Sequence, residues 1–356
     1  MFTEVHLDEV KAKNFVSRIA GFYNGTAITL MIDVGYRTGL WDAAAVGPAT
    51  SHELASRAGL QERYVREWLG AVTSAGIVEY DAASSVYTLP PEHAHSLSGS
   101  GGSNRAANAP LLTYLGKHVS SVVSAFKNGG GVPYSQYRPE FTGFMDDRFR
   151  REYDQFLLDG YIRKVPGLEA KLRSGISVCD IGCGTGHNIN LLAKAFPQSE
   201  FTGYDIAADA IDRARAEAAE MGLNNAHFEV QDATNLPANI AFELITTFDA
   251  VHDQANPQAA LHEISRCLMP GGTYLMIDIK ASSKLENNLE NPMSPYLYAV
   301  STMHCMTVSL AESGAGLGTC WGQELALEML AKTGLTDVEI LDSTNPTNCI
   351  YVCRKP

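Results

Sequence analysis

The segment that most constrains this chain is Asp180-Ile-Gly182-Cys183-Gly184-Thr-Gly186. It closes the apolar run 176–181 and stands ahead of a helix expected over 188–195. Three glycines at alternate positions let the backbone turn out of a strand, and a ligand can approach with no Cβ in the way. Free amides at the start of the next helix favour an anion. A dinucleotide fingerprint reads GxGxxG. This loop reads GxGxG with an acid two residues before its first glycine, which points away from a pyrophosphate and toward a ligand with a zwitterionic amino-acid end.

Strand-like and helix-like stretches alternate downstream. Strands are expected at 176–181, 200–204, 227–230, 244–248, 273–279, 338–342 and 349–354, and helices at 188–195, 207–221, 257–268 and 324–332. That order gives an α/β fold whose mostly parallel sheet is covered on both faces. Such sheets bind ligands beyond the carboxyl ends of their strands, where strand order reverses. Asp205 ends the second strand, where an acid accepts both hydroxyls of a ribose or caps the following helix. Asp232 follows the third strand and reads either as a partner for an exocyclic adenine amine or as a turn residue.

The N-terminal part reads differently. Thr50 and Glu53 fit a capping box ahead of a helix ending at Gly59. A second helix carries Tyr64, Val65, Trp68, Leu69 and Val72 on one face, and strands are expected at 77–80 and 86–89. Two helices and a hairpin in this order make a winged helix-turn-helix pattern. Between 51 and 76, Arg57, Arg63 and Arg66 are balanced by Glu53, Glu62 and Glu67. A groove reader presents a basic face, so we read the module as one for dimerisation or pocket-building.

The stretches SLSGSGGSN (96–104) and NGGGVP (128–133) divide the chain into a winged-helix/dimerisation domain (1–95), a helical linker or lid region (105–170) and a ligand-binding sheet domain (171–356). In the middle region Phe149, Tyr153, Phe156, Leu157 and Tyr161 recur at helical spacing, so one long amphipathic helix is expected. Phe141, Phe144 and Met145 belong either to its core-facing side or to a wall over a ligand.

Lys and Arg total 27 against 40 Asp and Glu, a net charge of -13. That field repels nucleic acid and anionic membrane, so neither is expected as a partner. Seven cysteines without a CxxC pair suggest neither a metal site nor a redox dithiol. Free thiols, the lack of a signal-like start and the lack of an apolar run of ~20 residues lead to the expectation of a cytoplasmic protein.

The segments DIGCGTG, Tyr204-Asp205, Gln231-Asp232, FDAVHD (248–253) and NPQAALHEISRCLMPGG (256–272) together resemble the motifs of class I S-adenosylmethionine-dependent methyltransferases. With the winged helix in front, the chain resembles bacterial, mycobacterial-type winged-helix methyltransferases and, more loosely, small-molecule O-methyltransferases. The resemblance implies a Rossmann-like seven-stranded sheet ending in an antiparallel hairpin, behind a mostly α winged-helix domain. It implies S-adenosylmethionine as cofactor, a small-molecule acceptor, and a homodimer formed through the N-terminal region. By the same carry-over Asp180, Gly182, Cys183, Gly184 and Gly186 hold the methionine end. Asp205 takes the ribose, with Ile206 against the adenine and Asp232 and Ala233 flanking it. Phe248 and Asp249 lie beside the sulfonium, and Cys183 leaves a thiol near the cofactor.

Methyl transfer is an in-line displacement, so the protein's main task is to place a nucleophile behind the methyl group. His252 occupies a position like the catalytic His of the plant-type pattern HDWxD, although Gln254 replaces the Trp and Asn256 the later Asp. It reads as a general base for a hydroxyl or as a packed ring beside the cofactor. The insertion 291–321 is rich in Met, Tyr and Ser and poor in Lys and Arg. Tyr296, Tyr298, Met303, His304 and Met306 either line an acceptor pocket or close the core. With Phe144 and Met145 they suggest an apolar pocket lacking a strong charge partner. The function expected is O-methylation of a lipophilic hydroxyl-bearing molecule. Alternatives are an S-adenosylmethionine-binding regulator or non-catalytic winged-helix protein, and a nicotinamide-dependent oxidoreductase, against which the GxGxG spacing and PGG turn speak.

Overall fold

The computed structural model describes residues 7–99 and 104–356. They form two compact units that divide between Tyr114 and Leu115.

The first unit opens with the long helix α1 (Glu9–Arg37), whose first amides, those of Val10 and Lys11, donate to the Asp8 carboxylate. It continues through α2 (Leu40–Ala45), α3 (Ser51–Ala58), α4 (Glu62–Ser74), the hairpin β1 (Glu79–Asp81) and β2 (Val86–Thr88), and α5 (Pro91–Leu97). The capping box forms: Glu53 N–H donates to the Thr50 hydroxyl, and Thr50 N–H to the Glu53 carboxylate at 2.7 Å. Such a cap is worth ~1 kcal/mol. At the core, Trp41 and Trp68 meet edge-on at 4.7 Å, and their indole N–H groups donate to the Ile32 and Met31 carbonyls. The hairpin starts later than expected, because Ile77 and Val78 N–H both donate to the Val72 carbonyl and close α4. Two arginines of α4 are paired on their own helix, Arg63 with Glu67 and Arg66 with Glu62. Part of the expected Ser/Gly linker, residues 100–103, lies outside the described residues.

Helix α6 (Ala109–Gly116) carries the boundary. The second unit then runs through α7 (Val119–Asn128), α8 (Glu140–Phe156), α9 (Leu168–Ser174), β3 (Ser177–Ile181), α10 (His187–Ala195), β4 (Glu200–Asp205), α11 (Ala208–Glu220), β5 (Ala226–Val230), β6 (Phe242–Phe248), α12 (Pro257–Cys267), β7 (Leu268–Ile279), α13 (Ser294–Met303), α14 (Cys305–Ala311), α15 (Gly322–Ala331), β8 (Asp337–Asp342) and β9 (Asn348–Arg354). The sheet order is β5-β4-β3-β6-β7-β9-β8; β5 to β7 are parallel, and β9 is antiparallel to both neighbours. Chain direction across the sheet reverses between β3 and β6, so their carboxyl ends open the crevice where α/β sheets take ligands.

Two expectations shift. The long helix of the middle region leaves the α-helical path at Phe156 and passes into a π turn over Leu157–Tyr161. Gly160 lies in that turn against Phe156 and the Thr344 side chain, a contact that admits no Cβ. Strand β7 begins at Leu268 rather than at 273, with Pro270–Gly272 absorbed as an irregularity where its pairing with Phe242 and Leu244 slips register.

The glycine loop is held at its back by the sheet. Gly182 and Cys183 N–H both donate to the Tyr204 carbonyl, at 2.8 and 3.0 Å. Gly186 has φ +69°, and a Cβ there would stand 2.5 Å from the Phe228 ring and 2.6 Å from Ala214. Helix α8 is tied to this loop from outside. The Thr185 hydroxyl and Arg150 both donate to Asp146, and Arg150 reaches Glu217 at 2.5 Å. Glu217 also meets His187 Nδ1 at 2.7 Å and accepts from Asn190. Burial works against its charge, but His187, Arg150 and Asn190 prevail and hold its pKa at about 2.

Two predictions follow from this frame. Gly222 has a φ like that of Gly186 but no atom within 4 Å of an added Cβ. Gly222→Ala should therefore cost about 1 kcal/mol for backbone strain. Gly186→Ala should cost a further ~2 kcal/mol for overpacking, read as a lower urea midpoint at unchanged slope. The second concerns Glu217, an acid whose folded pKa lies below its unfolded value of 4.5. Its stabilisation is present above pH 4.5 and lost as pH falls toward 2, and its size is about 3 kcal/mol. Glu217→Gln should be less stable than the parent at pH 6, with the gap closing in acid; a gap independent of pH would show that the charge is not what stabilises.

Candidate cofactor and acceptor site

Asp180, the penultimate residue of β3, is almost fully buried, with Oδ1 accepting from Thr246 at 2.6 Å and Oδ2 from Asn188 at 2.8 Å. Burial pushes its pKa up to about 7 despite those two donors. Both oxygens brace the loop from behind. Gly182 also faces the protein, since a Cβ there would stand 2.6 Å from Ala250. Gly184, at φ +55°, faces open space, with no atom within 4 Å of an added Cβ. The loop therefore has a closed back and an open front. The Cys183 thiol departs from expectation. It is buried in the core cluster with Phe228 and lies 2.8 Å from the position a Gly203 Cβ would take. The glycine turns send its side chain inward, and its N–H donates to the Tyr204 carbonyl at the loop's back.

Asp205, at the end of β4, accepts Gly184 N–H on one oxygen and Ala207 N–H on the other, both at 2.8 Å. Burial raises its pKa against those donors. Ile206, next in the chain, is 66% exposed. An acid with fixed orientation, able to accept from ribose hydroxyls, beside an uncovered apolar side chain on which an adenine can lie suits a nucleoside, and the open face of Gly184 admits the ligand. On these observations the residues fit S-adenosylmethionine. Asp232 is exposed and forms a turn, its Oδ1 accepting from both the amide and the hydroxyl of Thr234, while Ala233 is buried. Phe248 packs edge-on against Tyr153 and Tyr161 at 5.3 and 5.7 Å. Asp249 holds φ +48°, a costly conformation for a non-glycine residue. It accepts from Asn348 at 2.7 Å, and its pKa is raised by burial and by Asp278 and Glu152.

His252 follows β6 and is buried. Its Nδ1 meets Asp278 Oδ1 at 2.8 Å, an oxygen that also accepts from Trp321 Nε1 and Ile279 N–H. Its Nε2 lies 3.4 Å from Asp253 Oδ1. Burial works against charging this ring, but Asp278 and Asp253 outweigh it and hold the pKa well above 6.5. His252, Asp253 and Cys305 bring their ligating atoms within 4.8 Å of one another.

The insertion forms α13 and α14, broken at His304, whose φ of -142° and ψ of -81° belong to neither helix. His304 is buried and stacks on Phe141 at 3.8 Å with 14° between planes; Tyr134 and Tyr137 present edges to it. Met145 and Phe144 are half-buried on α8; Tyr296 and Met303 are half-buried and Tyr298 exposed on α13. Tyr298 and Met303 turn their polar groups to the protein, the Tyr298 hydroxyl accepting from Asn288 and the Met303 carbonyl from Tyr137.

A cation stands among these residues, the Arg148 guanidinium of α8. It has Glu152, Tyr296, Asp249 and Cys305 around it, which raise its pKa against the effect of burial. Sequence reasoning also missed Asp278, Trp321 and Cys305. Asp278 left a trace, as the one acid in the apolar strand LMIDI; Trp321 and Cys305 lie in the 291–321 insertion, but only the tertiary fold brings them to His252 and Asp278.

Residues 172–334 match the family described as "Methyltransferase domain", and residues 26–99 the "Rv2258c-like winged HTH domain". Among curated relatives, O-methyltransferase cnsE of Penicillium expansum is 26% identical over 140 residues, 39% of this chain and 50% of that protein. The chain spans about half or less of the length of the first curated relatives it matches. Solved structures share the fold over nearly the whole chain. An O-methyltransferase family protein from Burkholderia thailandensis has a TM-score of 0.70 at 12% identity, covering 96% of this chain and 98% of its own. Human N-acetylserotonin methyltransferase, solved with S-adenosylmethionine, has a TM-score of 0.70 at 14% identity, covering 99% of both. The chain thus carries an Rv2258c-like winged helix-turn-helix domain followed by a methyltransferase domain, in the fold of those solved structures.

Proposed function

We propose that this protein methylates a hydroxyl group on a small, largely apolar molecule. The observation that carries the reading is the open glycine loop with Asp205 and Ile206, set at the same strand ends as the buried His252–Asp278 pair. Bound S-adenosylmethionine supplies a methyl group made electrophilic by its sulfonium. Asp205 would hold the ribose hydroxyls, Ile206 and Ala233 the adenine, and the Gly182–Gly186 backbone the methionine portion, with Asp180 bracing the loop from behind. Asp249 and Phe248 border the sulfonium side. Phe144, Met145, Tyr296, Tyr298, Met303 and His304 bound the acceptor, and the aromatic faces among them exclude water from the place of transfer.

His252 enters this reading as a charged ring. With Asp278 on Nδ1 and Asp253 beside Nε2 it carries both protons, and an imidazolium donates rather than accepts. We therefore assign it to orienting the acceptor and not to general-base work. Support for an O-acceptor comes from the named O-methyltransferases among the relatives and neighbours, and from the shortage of fixed cations in the insertion.

The first unit is proposed as the dimerisation module. Its helix α1 leaves Val10, Phe15, Val16, Phe22 and Tyr23 more than half exposed. A second copy of the chain offers the same apolar row. The paired arginines of α4 argue against a nucleic-acid face there.

Calorimetry should show S-adenosylmethionine binding that weakens by at least about a hundredfold in Asp205→Ala, as the loss of two charge-assisted hydrogen bonds requires. Equal affinity would remove the cofactor assignment. Light scattering should give twice 38.5 kDa for the parent and a shift toward the monomer for Phe15→Glu/Phe22→Glu; a monomeric parent would remove the dimer.

A further inference from the structure

The break between α13 and α14 is built to present one imidazole. The Tyr137 hydroxyl donates to the Met303 carbonyl at 2.6 Å, at the last residue of α13. Val132 N–H donates to the Thr307 hydroxyl at 3.0 Å in the first turn of α14. Gly131 lies so close to the Thr307 carbonyl that no Cβ fits. The stretch 128–133 is thus a seat for α14, and it fixes where α13 must stop. Between the two anchored ends His304 takes a backbone conformation outside the common regions, with its ring clamped flat on Phe141.

A ring held this firmly should have a use for its nitrogens. His304 is only 4% exposed, yet Nε2 has no hydrogen-bond partner among the described residues. Leaving a buried polar atom unmatched is costly, and a ligand's polar group can match it. Oδ1 of Asp253, the residue after His252, is buried and equally without a hydrogen bond. The two histidines flank that carboxylate in opposite states. Burial and the neighbouring His252 and His118 lower His304 to about 4, so it is neutral, whereas His252 is held charged.

We propose that His304 Nε2 is the hydrogen-bond acceptor for the methyl acceptor's own O–H, and that His304 and His252 together make the site select hydroxyls over amines. This inference rests on the hydroxyl-methylation reading above. A hydroxyl has one hydrogen and two lone pairs. It can donate to His304 and accept from His252 with one lone pair still directed at the methyl group. An amine has a single lone pair, and a charged donor that occupies it takes away the nucleophile. A neutral acceptor beside a charged donor therefore also binds an aromatic O–H more tightly than an arylamine, whose N–H is the weaker donor and whose ring-conjugated lone pair is the weaker acceptor. Phe141, which carries the ring, belongs to positioning, because it acts on the acceptor only through His304.

The test uses two probes with one carbon frame, 1-naphthol and 1-naphthylamine, titrated by fluorescence into the full chain saturated with S-adenosylhomocysteine. The parent should bind the naphthol about tenfold more tightly than the amine, the worth of one well-placed hydrogen bond. His304→Phe keeps the stack on Phe141 and removes the nitrogen; it should abolish that preference while S-adenosylhomocysteine affinity stays within twofold. His304→Gln, with an amide oxygen as acceptor, should recover part of it. The inference is overturned if His304→Phe retains the naphthol preference. It is likewise overturned if the variant loses S-adenosylhomocysteine in step with naphthol, since the ring would then be structural. A parent that binds S-adenosylhomocysteine but prefers the amine, or takes neither probe, overturns the hydroxyl reading itself and the inference with it.

Discussion

The second unit depends on one carbonyl. Tyr204 O, near the end of β4, accepts the amides of Gly182 and Cys183 from the loop after β3. That contact turns a parallel strand pair into a shaped ligand edge, because it stops the loop from continuing the sheet. Asp205 continues the same logic one residue on, taking Gly184 N–H on one oxygen and Ala207 N–H on the other. The loop's curvature, the start of α11 and the orientation of the acid are fixed together. Glycine is required here for two different reasons. At Gly182 and Gly186 side chains crowd the back, whereas at Gly184 the front must stay open.

Around this edge the protein concentrates charge where water is scarce. Asp180, Asp249 and Asp278 stand behind the ligand edge, with His252 and Arg148 among them. In a medium of low effective permittivity each charge is set by its neighbours rather than by pH. Burial pushes Asp180 and Asp249 toward protonation, Asp249 also through Asp278 and Glu152, and His252, set between carboxylates, keeps its proton. His304 shares the region but not a strong enough partner, and burial leaves it neutral. Two rings of identical chemistry thus end in different states through a difference of one close carboxylate, Asp278. That difference gives the pocket a donor and an acceptor from the same residue type.

Much of the fold was legible in the sequence because its signals are local. The glycine loop, the acids at the ends of β4 and β5, and the alternation of strands and helices depend on positions close in the chain, and the observed sheet follows them with end shifts of a few residues. The departures have local causes that periodicity does not encode. Val72 captures the amides of Ile77 and Val78, so the hairpin starts late. Gly160 lies where α8 gives way to a π turn. PGG enters β7 as an irregularity because Phe242 already pairs with Leu268.

The candidate site was legible only in part, and the divide follows distance along the chain. Asp205, Gly184 and His252 stand at strand ends, where spacing predicts position. The direction of a side chain is another matter. Cys183 shares the loop with Gly184 yet points into the core, and Asp180 spends both oxygens on Thr246 and Asn188. Arg148 and Cys305 reach the site from α8 and α14, well separated from the strand ends in sequence; their neighbours Phe144, Met145 and His304 stand out, but nothing in spacing sets Arg148 beside Asp249 or Cys305 beside His252. His304 was visible as a polar residue in an apolar insertion, but its state was not. That state needs the Tyr137–Met303 and Val132–Thr307 contacts, which cross some 170 residues and set the helix break. A residue type can be read from a sequence, whereas an unpartnered buried nitrogen is a property of everything packed around it.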